Sequence, residues 1–277
     1  MSGDELANVA PPVALTLAGS DCPSGAGLQA DLKTFSSLGV YGLTVVTSVV
    51  AEVPGSVAAT LPLPAGLVAQ QYDLLLQSFP VAALKTGLLG SAEIIEELTP
   101  RLASFTGPVI LDPVAVATSG HSLVAGDYGD ALRNLIAKAA TLVTPNRAEA
   151  EWLLGAPIHS ADEARDAALR LAANLGCAVL LKGGHFDGAE STDWLADSSE
   201  VLAISRVRIP GGTSLHGTGC TYSAAITAEL ALGKGLHGAI EHARTYLHRA
   251  CVHPYDWATS GCGNTKALAH ERARVQI

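Results

Sequence analysis

Short β-branched runs alternate with Ala/Leu-rich stretches of helical period along nearly the whole chain. That alternation is the pattern of βαβ units and a mainly parallel sheet, and it constrains the fold more than any other feature. Val13 to Leu17 predicts a first strand, followed by a Gly/Ser/Asp loop, and Gly27 to Leu38 a helix stopped at Gly39. Leu43 to Val50, dense in Val and Thr, predicts a second strand. Pro54 to Pro64 contains three prolines, which suits an edge strand or flap because proline cannot donate to a central ladder. Further strands are expected at Ala82 to Lys85, Val109 to Leu111, Thr141 to Val143 and Ala178 to Leu181. Helices are expected at Leu67 to Gln77, Ala92 to Leu102, Gly126 to Lys138, just after Asn146, and at Ala161 to Leu175. Thr192 to Leu195 and Val201 to Val207 read as an edge hairpin, and Ala-rich helices from Thr218 and Leu236 close the fold.

Hydrophobic residues make up 48% and charged residues 16% of the 277 positions, enough for a large core and too apolar for a disordered chain. A net charge of -9 argues against a nucleic-acid groove, which needs a basic face. The five cysteines, Cys22, Cys177, Cys220, Cys251 and Cys262, are odd in number and scattered without zinc-ligand spacing. A reducing compartment fits them better than a disulfide framework. Met1 to Pro12 carries Asp4 and Glu5 with no basic segment and reads as a disordered leader rather than a signal peptide. No apolar run approaches the roughly 20 residues of a membrane span. The expectation is therefore a cytoplasmic protein with no membrane or nucleic-acid partner. No repeat or linker divides it, so residues 13 to 277 are expected to form one domain.

In open α/β sheets, ligands bind beyond the carboxyl ends of the strands. The most informative segment of that kind is Ser214-Leu215-His216-Gly217-Thr218-Gly219-Cys220-Thr221, directly before a helix. Two glycines flanking a threonine let consecutive amides converge on one point at a helix N-terminus, an anion cradle suited to a transferring phosphoryl group. Gly-x-Gly alone more often marks only a tight turn. Cys220 adds to it: a thiol at a helix N-terminus is expected to have a lowered pKa and to act as general base toward an alcohol. The plainer alternative for Cys220 is a small buried hydrophobe.

The chain resembles the hydroxymethylpyrimidine/phosphomethylpyrimidine kinases of thiamine biosynthesis, within the ribokinase-like superfamily. The likeness is carried by Gly19-Ser20-Asp21 and Gly25 to Phe35, by Lys85-Thr86-Gly87-Leu88-Leu89-Gly90-Ser91, and by Leu111-Asp112-Pro113-Val114. It continues through Thr144-Pro145-Asn146, Leu181-Lys182-Gly183-Gly184-His185 and His216 to Thr221, in family order from about Val13 to Gly261. The resemblance implies a three-layer α/β/α sandwich with a mainly parallel sheet and a small edge flap, using ATP and Mg²⁺ and usually forming a homodimer. It implies Cys220 as base, Gly217, Thr218 and Gly219 as anion hole, and Asn146 and Glu149 holding Mg²⁺ largely through water, with Asp112 as a second anionic group. Read without the family, Asn146 and Glu149 are first a helix cap with an acidic first turn, and Asp112 a turn residue before proline. Lys182 ends an apolar strand, where it is expected to reach a cleft and neutralise phosphate oxygens, or else to snorkel. His185, two residues beyond Gly183, is a weak candidate for a nucleotide contact. The substrate pocket is expected from Gly19, Asp21, Ala26, Val50, Glu52 and Leu88, with small residues at Gly19 and Ala26 admitting a flat ring.

Three departures from the family pattern stand out, and the first two bear on substrate. Ala51-Glu52-Val53-Pro54 stands where the family usually has Ala-Gln-Asn-Thr. A carboxylate only accepts hydrogen bonds where a glutamine amide also donates, so Glu52 suits a ring presenting two donors. Ala115 to His121 lacks the family's Lys-Ser-Gly-Asp, removing a positive charge relevant to the second phosphorylation. Asp21-Cys22-Pro23-Ser24-Gly25 varies the first glycine loop, a change expected to be tolerated in a turn. The expected acceptor is hydroxymethylpyrimidine, with its monophosphate as second acceptor. The alternatives are a pyridoxine or pyridoxal kinase of the same family, and a pyrimidine-binding sensor without turnover.

Overall fold

A computed structural model of the chain describes residues 10–53, 55–114, 127–186, 188–209, 215–257 and 266–273. Most of the expected leader, the segment from Ala115 to His121, Ser214, and Gly261 to Asn264 with Cys262 lie outside the described residues, as does the side chain of His185.

In chain order the strands and helices are β1 (Val13–Asp21), α1 (Gly27–Ser37), β2 (Tyr41–Val53), β3 (Ser56–Pro62), α2 (Ala65–Ser78), β4 (Val81–Thr86), α3 (Ala92–Ala103), β5 (Val109–Leu111), α4 (Tyr128–Ala139) and β6 (Leu142–Val143). They continue with α5 (Arg147–Leu154), α6 (Ala161–Leu175), β7 (Ala178–Leu181), β8 (Glu190–Ala196), β9 (Val201–Val207), α7 (Thr218–Ala231), α8 (Leu236–Val252), β10 (Tyr255–Asp256) and β11 (Lys266–Ala267). One sheet runs in the order β3-β2-β1-β4-β5-β6-β7-β8-β9. Its centre, from β2 to β7, is parallel. Only β3, β8 and β9 at the edges are antiparallel.

Alternation along the strands sends side chains to two faces. Ala14, Ala83, Ile110, Leu142 and Leu180 pack on one face, against α1, α7 and α8. Leu15, Leu17, Leu84, Val109 and Leu111 pack on the other, against α2, α3 and α4. Val179 and Leu181 meet α6 through Ala164, Ala168 and Leu171. These three layers are the ribokinase-like α/β/α sandwich with an edge flap that the sequence predicts. Among the described residues no helix is long and apolar enough to cross a membrane.

The structure extends two expectations. β2 runs on to Val53, so Glu52 lies in a strand rather than beyond its end, and the flap is the β2–β3 ladder. At the other end of the chain, a 3₁₀ turn at His270–Ala273, not predicted from the sequence, packs on α1 and α8. The His270 ring lies 3.0 Å from the Thr221 hydroxyl, and its carbonyl accepts from Ser37 Oγ and Tyr246 Oη. Three helices are thus stapled behind the first turn of α7. Burial, with Lys33 nearby, pushes the His270 pKa from 6.5 down to about 4.

The folded state therefore holds fewer protons than the unfolded chain between these values, and stability falls as pH drops through that window. His270→Gln is expected to flatten the loss of thermal stability between pH 7 and about 4, measured as Tm against pH beside the wild type. An equal slope in the two proteins would remove His270 from the linkage.

Candidate active site

The order of the sheet reverses direction at β1, which pairs with β2 on one side and β4 on the other. At such a switch point the loops at the carboxyl ends diverge and leave a crevice. A cavity of about 650 Å³ opens there, within the range of small-molecule sites. Gly19, Asp21 and Ala26 line it from the end of β1, Val50 and Glu52 from the flap, and Leu88 from the turn after β4. Asp112 follows β5, Asn146 and Glu149 follow β6, Lys182 follows β7, and Gly217, Thr218, Gly219 and Cys220 open α7. Every site residue predicted from the sequence lines this one cavity, apart from His185, whose side chain lies outside the described residues.

Two glycine loops make the close approach possible. Gly27 has φ +55°, and a Cβ there would sit 2.4 Å from the Gly19 carbonyl. Gly217 has φ +81°, and its Cβ would sit 1.8 Å from the Gly25 carbonyl, so neither position tolerates a side chain. The loops interlock and bring the N-termini of α1 and α7 together, neither with a side-chain cap. At α7 the first amides carry no side-chain cap and stay available to a ligand, whereas at α1 the Gly27 amide turns to the Cys220 sulfur. Gly19 is small for a reason other than ring access: its Cβ would lie 2.7 Å from Ser48 Oγ in the neighbouring strand.

At the α7 end, Lys182 Nζ lies 3.0 Å from Asp112 Oδ1 and 4.0 Å from Glu149 Oε2. A Cβ on Gly219 would be 3.3 Å from the same ammonium, so the lysine head meets the glycine cradle rather than bulk water. Its snorkelling alternative is excluded, with the side chain only 13% exposed. Asp112 also accepts from Thr144 Oγ1 at 3.0 Å and Ser223 Oγ at 3.2 Å. Burial pushes its carboxyl up, but Lys182, Lys85 and these hydrogen bonds outweigh that and hold it below the ordinary range. Glu149 goes the other way: burial, with Asp112 adding to it against Lys182, pushes it up to about 7. Asn146 and Glu149 form a reciprocal capping box, Asn146 Oδ1 accepting from Glu149 N at 3.0 Å and Glu149 Oε2 from Asn146 N at 2.7 Å. The helix-cap reading of this pair is therefore realised.

Cys220 corrects a sequence expectation. Its thiol is pushed up to about 11, not down, because burial opposes the charged form and Asp112 and Asp31 add to it. Lys85 and the Gly27 amide pull the other way without prevailing. Lys85 is a feature to which the sequence reading gave no role. Its side chain is wholly buried, with Nζ 2.8 Å from Asp31 Oδ2, and Asp31 also accepts from Thr16 Oγ1 at 2.6 Å. Lys85 is on the cavity wall and Asp31 is not, so the pair presents its positive end to the site. The signal was available: a lysine inside the apolar run Val81–Thr86 requires a buried anion.

At the flap end, Asp21 Oδ2 accepts from the Gly25 and Ala26 amides at 2.9 and 2.6 Å and lies 3.4 Å from His216 Nε2. The hydrogen bond to Asp21 raises the His216 pKa against its burial. Burial raises Glu52, with Asp21 beside it adding to the effect. Asp21, Glu52 and His216 bring donor atoms within 4.8 Å of one another, although the Asp21 oxygen is already engaged by two amides.

The far wall was also missed. Arg244 of α8 lies 3.2 Å from Asp193 of β8, which accepts from the Gly183 amide at 2.8 Å. This buried pair fixes the turn that carries Lys182. A Cβ on Gly183 would collide with the Thr192 carbonyl at 1.8 Å.

An ammonium, two uncapped helix ends and a thiol gathered beyond a parallel sheet define a phosphoryl-transfer site of the small-molecule kinase class. Solved structures agree with this. The chain has a TM-score of 0.84 and 32% identity to an ADP complex of Bacillus subtilis pyridoxal kinase, covering 95% of this chain and 99% of that one. For phosphomethylpyrimidine kinase from Clostridium difficile the values are 0.75 and 34%, covering 86% and 98%. The hydroxymethylpyrimidine/phosphomethylpyrimidine kinase of Rhizobium meliloti is 42% identical over 243 residues, 86% of this chain and 90% of the relative. The Bacillus subtilis protein of that name is 37% identical over 261 residues, 94% of this chain and 96% of the relative. The family profile described as "Phosphomethylpyrimidine kinase" matches residues 21–265. The chain belongs to this family.

Lys85→Met strands Asp31 as an unpaired buried carboxylate and is expected to cost about 3–5 kcal/mol. Lys85→Met with Asp31→Leu is expected to recover most of that loss in urea denaturation. A double variant no more stable than the single one would show that the pair is not the source.

Proposed function

We propose that the chain transfers the terminal phosphoryl group of ATP to the hydroxymethyl group of hydroxymethylpyrimidine in thiamine biosynthesis, with the monophosphate as second acceptor. The observation that carries this reading is the meeting of Cys220, Lys182 and the open amides of α7 between two unlike ends of one cavity. The ring would lie among Gly19, Asp21, Ala26, Val50, Glu52 and Leu88. The nucleotide would lie toward β9 and α8, where Val207, Ile209, Leu247 and Cys251 give an apolar wall. ADP and AMP-PCP complexes among the solved relatives support ATP as donor.

Gly217, Thr218 and Gly219 donate amides to the transferring group, and Lys182 matches the charge that develops on its oxygens. Cys220 takes the proton of the acceptor alcohol. Mg²⁺ fits an all-oxygen set at the α5 end, held by Glu149, Asp112 and Asn146. Because the capping box occupies Asn146 Oδ1 and Glu149 Oε2, water would complete the shell. When bound, the ion supplies positive charge to the phosphate oxygens.

Free thiols at Cys22, Cys177, Cys220 and Cys251 and the need for ATP support a cytoplasmic setting. A homodimer is supported by the outer face of the flap, where Val49, Val53 and Leu61 are 49%, 60% and 66% exposed. A second reading, pyridoxine or pyridoxal as acceptor, is favoured by Glu52 beside Asp21 and His216, which suits a protonated ring. A non-catalytic sensor is disfavoured, since it has no use for a base and a buried phosphate-facing lysine.

An ADP-release assay across hydroxymethylpyrimidine, its monophosphate, pyridoxine and pyridoxal tests the assignment. Fastest turnover with hydroxymethylpyrimidine is expected, and exclusive use of a pyridoxine-type alcohol would overturn it. Cys220→Ser is expected to lower kcat by about a hundredfold or more while ATP binding, measured by calorimetry, persists. Near-normal turnover would take the base role from the thiol. Glu52→Gln restores a donor at the ring and is expected to shift kcat/KM toward hydroxymethylpyrimidine over pyridoxine by about tenfold. An unchanged ratio would place residue 52 away from the ring.

A further inference from the structure

β1 ends at Asp21, opposite Val50, whereas β2 continues to Val53. Beyond Val50 the inner edge of β2 has no strand beside it. The outer ladder is irregular at the same place: the register with β3 shifts between Ala51, opposite Ala59, and Glu52, opposite Val57. The peptide groups of Glu52 thus lie where the β1 ladder has ended and the β3 ladder shifts register, and a strand's N–H and C=O require partners wherever they are partly buried.

Cys22, the first residue past β1, supplies both. Its thiol donates to the Glu52 carbonyl at 2.9 Å and its sulfur accepts from the Glu52 amide at 3.4 Å. One side chain stands in for the rung that a longer β1 would have formed. Asp21 meanwhile faces the carboxyl group of Glu52. Consecutive residues of the first glycine loop therefore hold residue 52 by its side chain and by its backbone.

We propose that Cys22 is a positioning residue for substrate recognition: its thiol clips the Glu52 backbone and so fixes the angle at which the Glu52 carboxyl meets the ring. The flap beyond Val50 is otherwise a two-stranded ribbon, and such ribbons are marginal without further attachment. The clip ties its tip to the loop that carries Asp21, so the two carboxyl groups at the ring end move as one unit. The clip itself contacts only the flap, whereas the phosphoryl end is built on α7 and β7 and meets the same loop further along, at Gly25 and Gly27. Cys22 touches no reacting atom and acts only through Glu52.

This rests on the proposed placement of the acceptor ring near Glu52, so the test has one arm that needs no substrate. Hydrogen–deuterium exchange of the unliganded protein reads the Glu52 amide in wild type, Cys22→Ala and Cys22→Ser. Faster exchange is expected in Cys22→Ala, with near wild-type protection in Cys22→Ser, whose hydroxyl both donates and accepts. In steady-state assays with the alcohol the wild type uses best, Cys22→Ala is expected to raise KM for that alcohol about fivefold. KM for ATP and kcat are expected to hold, and Cys22→Ser to restore the alcohol KM. Equal exchange in all three proteins overturns the clip. Faster exchange with an unchanged alcohol KM, or an equal rise in both KM values, overturns its role in recognition. Failure of the wild type to use hydroxymethylpyrimidine refutes the acceptor assignment alone, and the exchange arm still decides the clip.

Discussion

The site exists because two backbones pass where a side chain would stand. Gly217 lies against the Gly25 carbonyl and Gly27 against that of Gly19, at distances that leave no room for a Cβ. The interlock brings the first turns of α1 and α7 to the same side of β1, although nearly the whole chain separates them. Both helices arrive without a side-chain cap, so each brings the partial positive charge of its N-terminus to the cavity, the Gly27 amide meeting the Cys220 sulfur. Filling either glycine would push the helices apart, and the ammonium of Lys182 would lose the cradle it adjoins.

Charge is distributed along the cavity in a way that suits unlike ligands at its two ends. Near α7 and β7 the positive groups are Lys182, Lys85 and the helix amides, held against Asp112 and against Glu149, whose burial favours its neutral form. Near the flap the groups are two carboxyls and a histidine. A polyanion is favoured at the first and a ring bearing donors at the second. The molecule's net charge of -9 has little say in this, because buried pairs and oriented amides set the local field.

The layered sheet was legible in the sequence because the central strands are short, largely apolar runs that alternate with helices of regular period, from Val13 to the helix beginning at Leu236. The candidate site residues were legible because they follow strands, where the fold places ligands. What escaped notice depends on contacts between distant segments. Lys85 and Asp31 lie in different elements, one at the end of an expected strand and the other inside an expected helix, with nothing local to join them. Arg244 and Asp193 show no local spacing, and their pairing needs β8 laid beside α8. The expected shift at Cys220 failed for a related reason: a helix N-terminus is visible in sequence, whereas the burial of the thiol and the carboxylates of Asp112 and Asp31 around it are not. His270 lay past the last recognisable element, where local pattern carries no information on packing.

The high pKa of Cys220 and the buried Lys85–Asp31 pair bear on each other. A thiol that burial pushes up to about 11 is a weak acid, and its deprotonated form is correspondingly a strong base toward an alcohol. The transition state of phosphoryl transfer is loose, so most of the barrier is met by positioning and charge matching rather than by early proton removal. A scarce but strong base is compatible with that order of events. Lys85 then has a defined part. Burying a lone ammonium beside the thiol would be prohibitive, whereas a pair with its anion behind and its cation toward the cavity costs less. It still leaves positive potential at the sulfur. Thr16 and Asp31 thereby do more than satisfy a buried lysine: they keep it charged beside the sulfur that the proposed reaction would make negative.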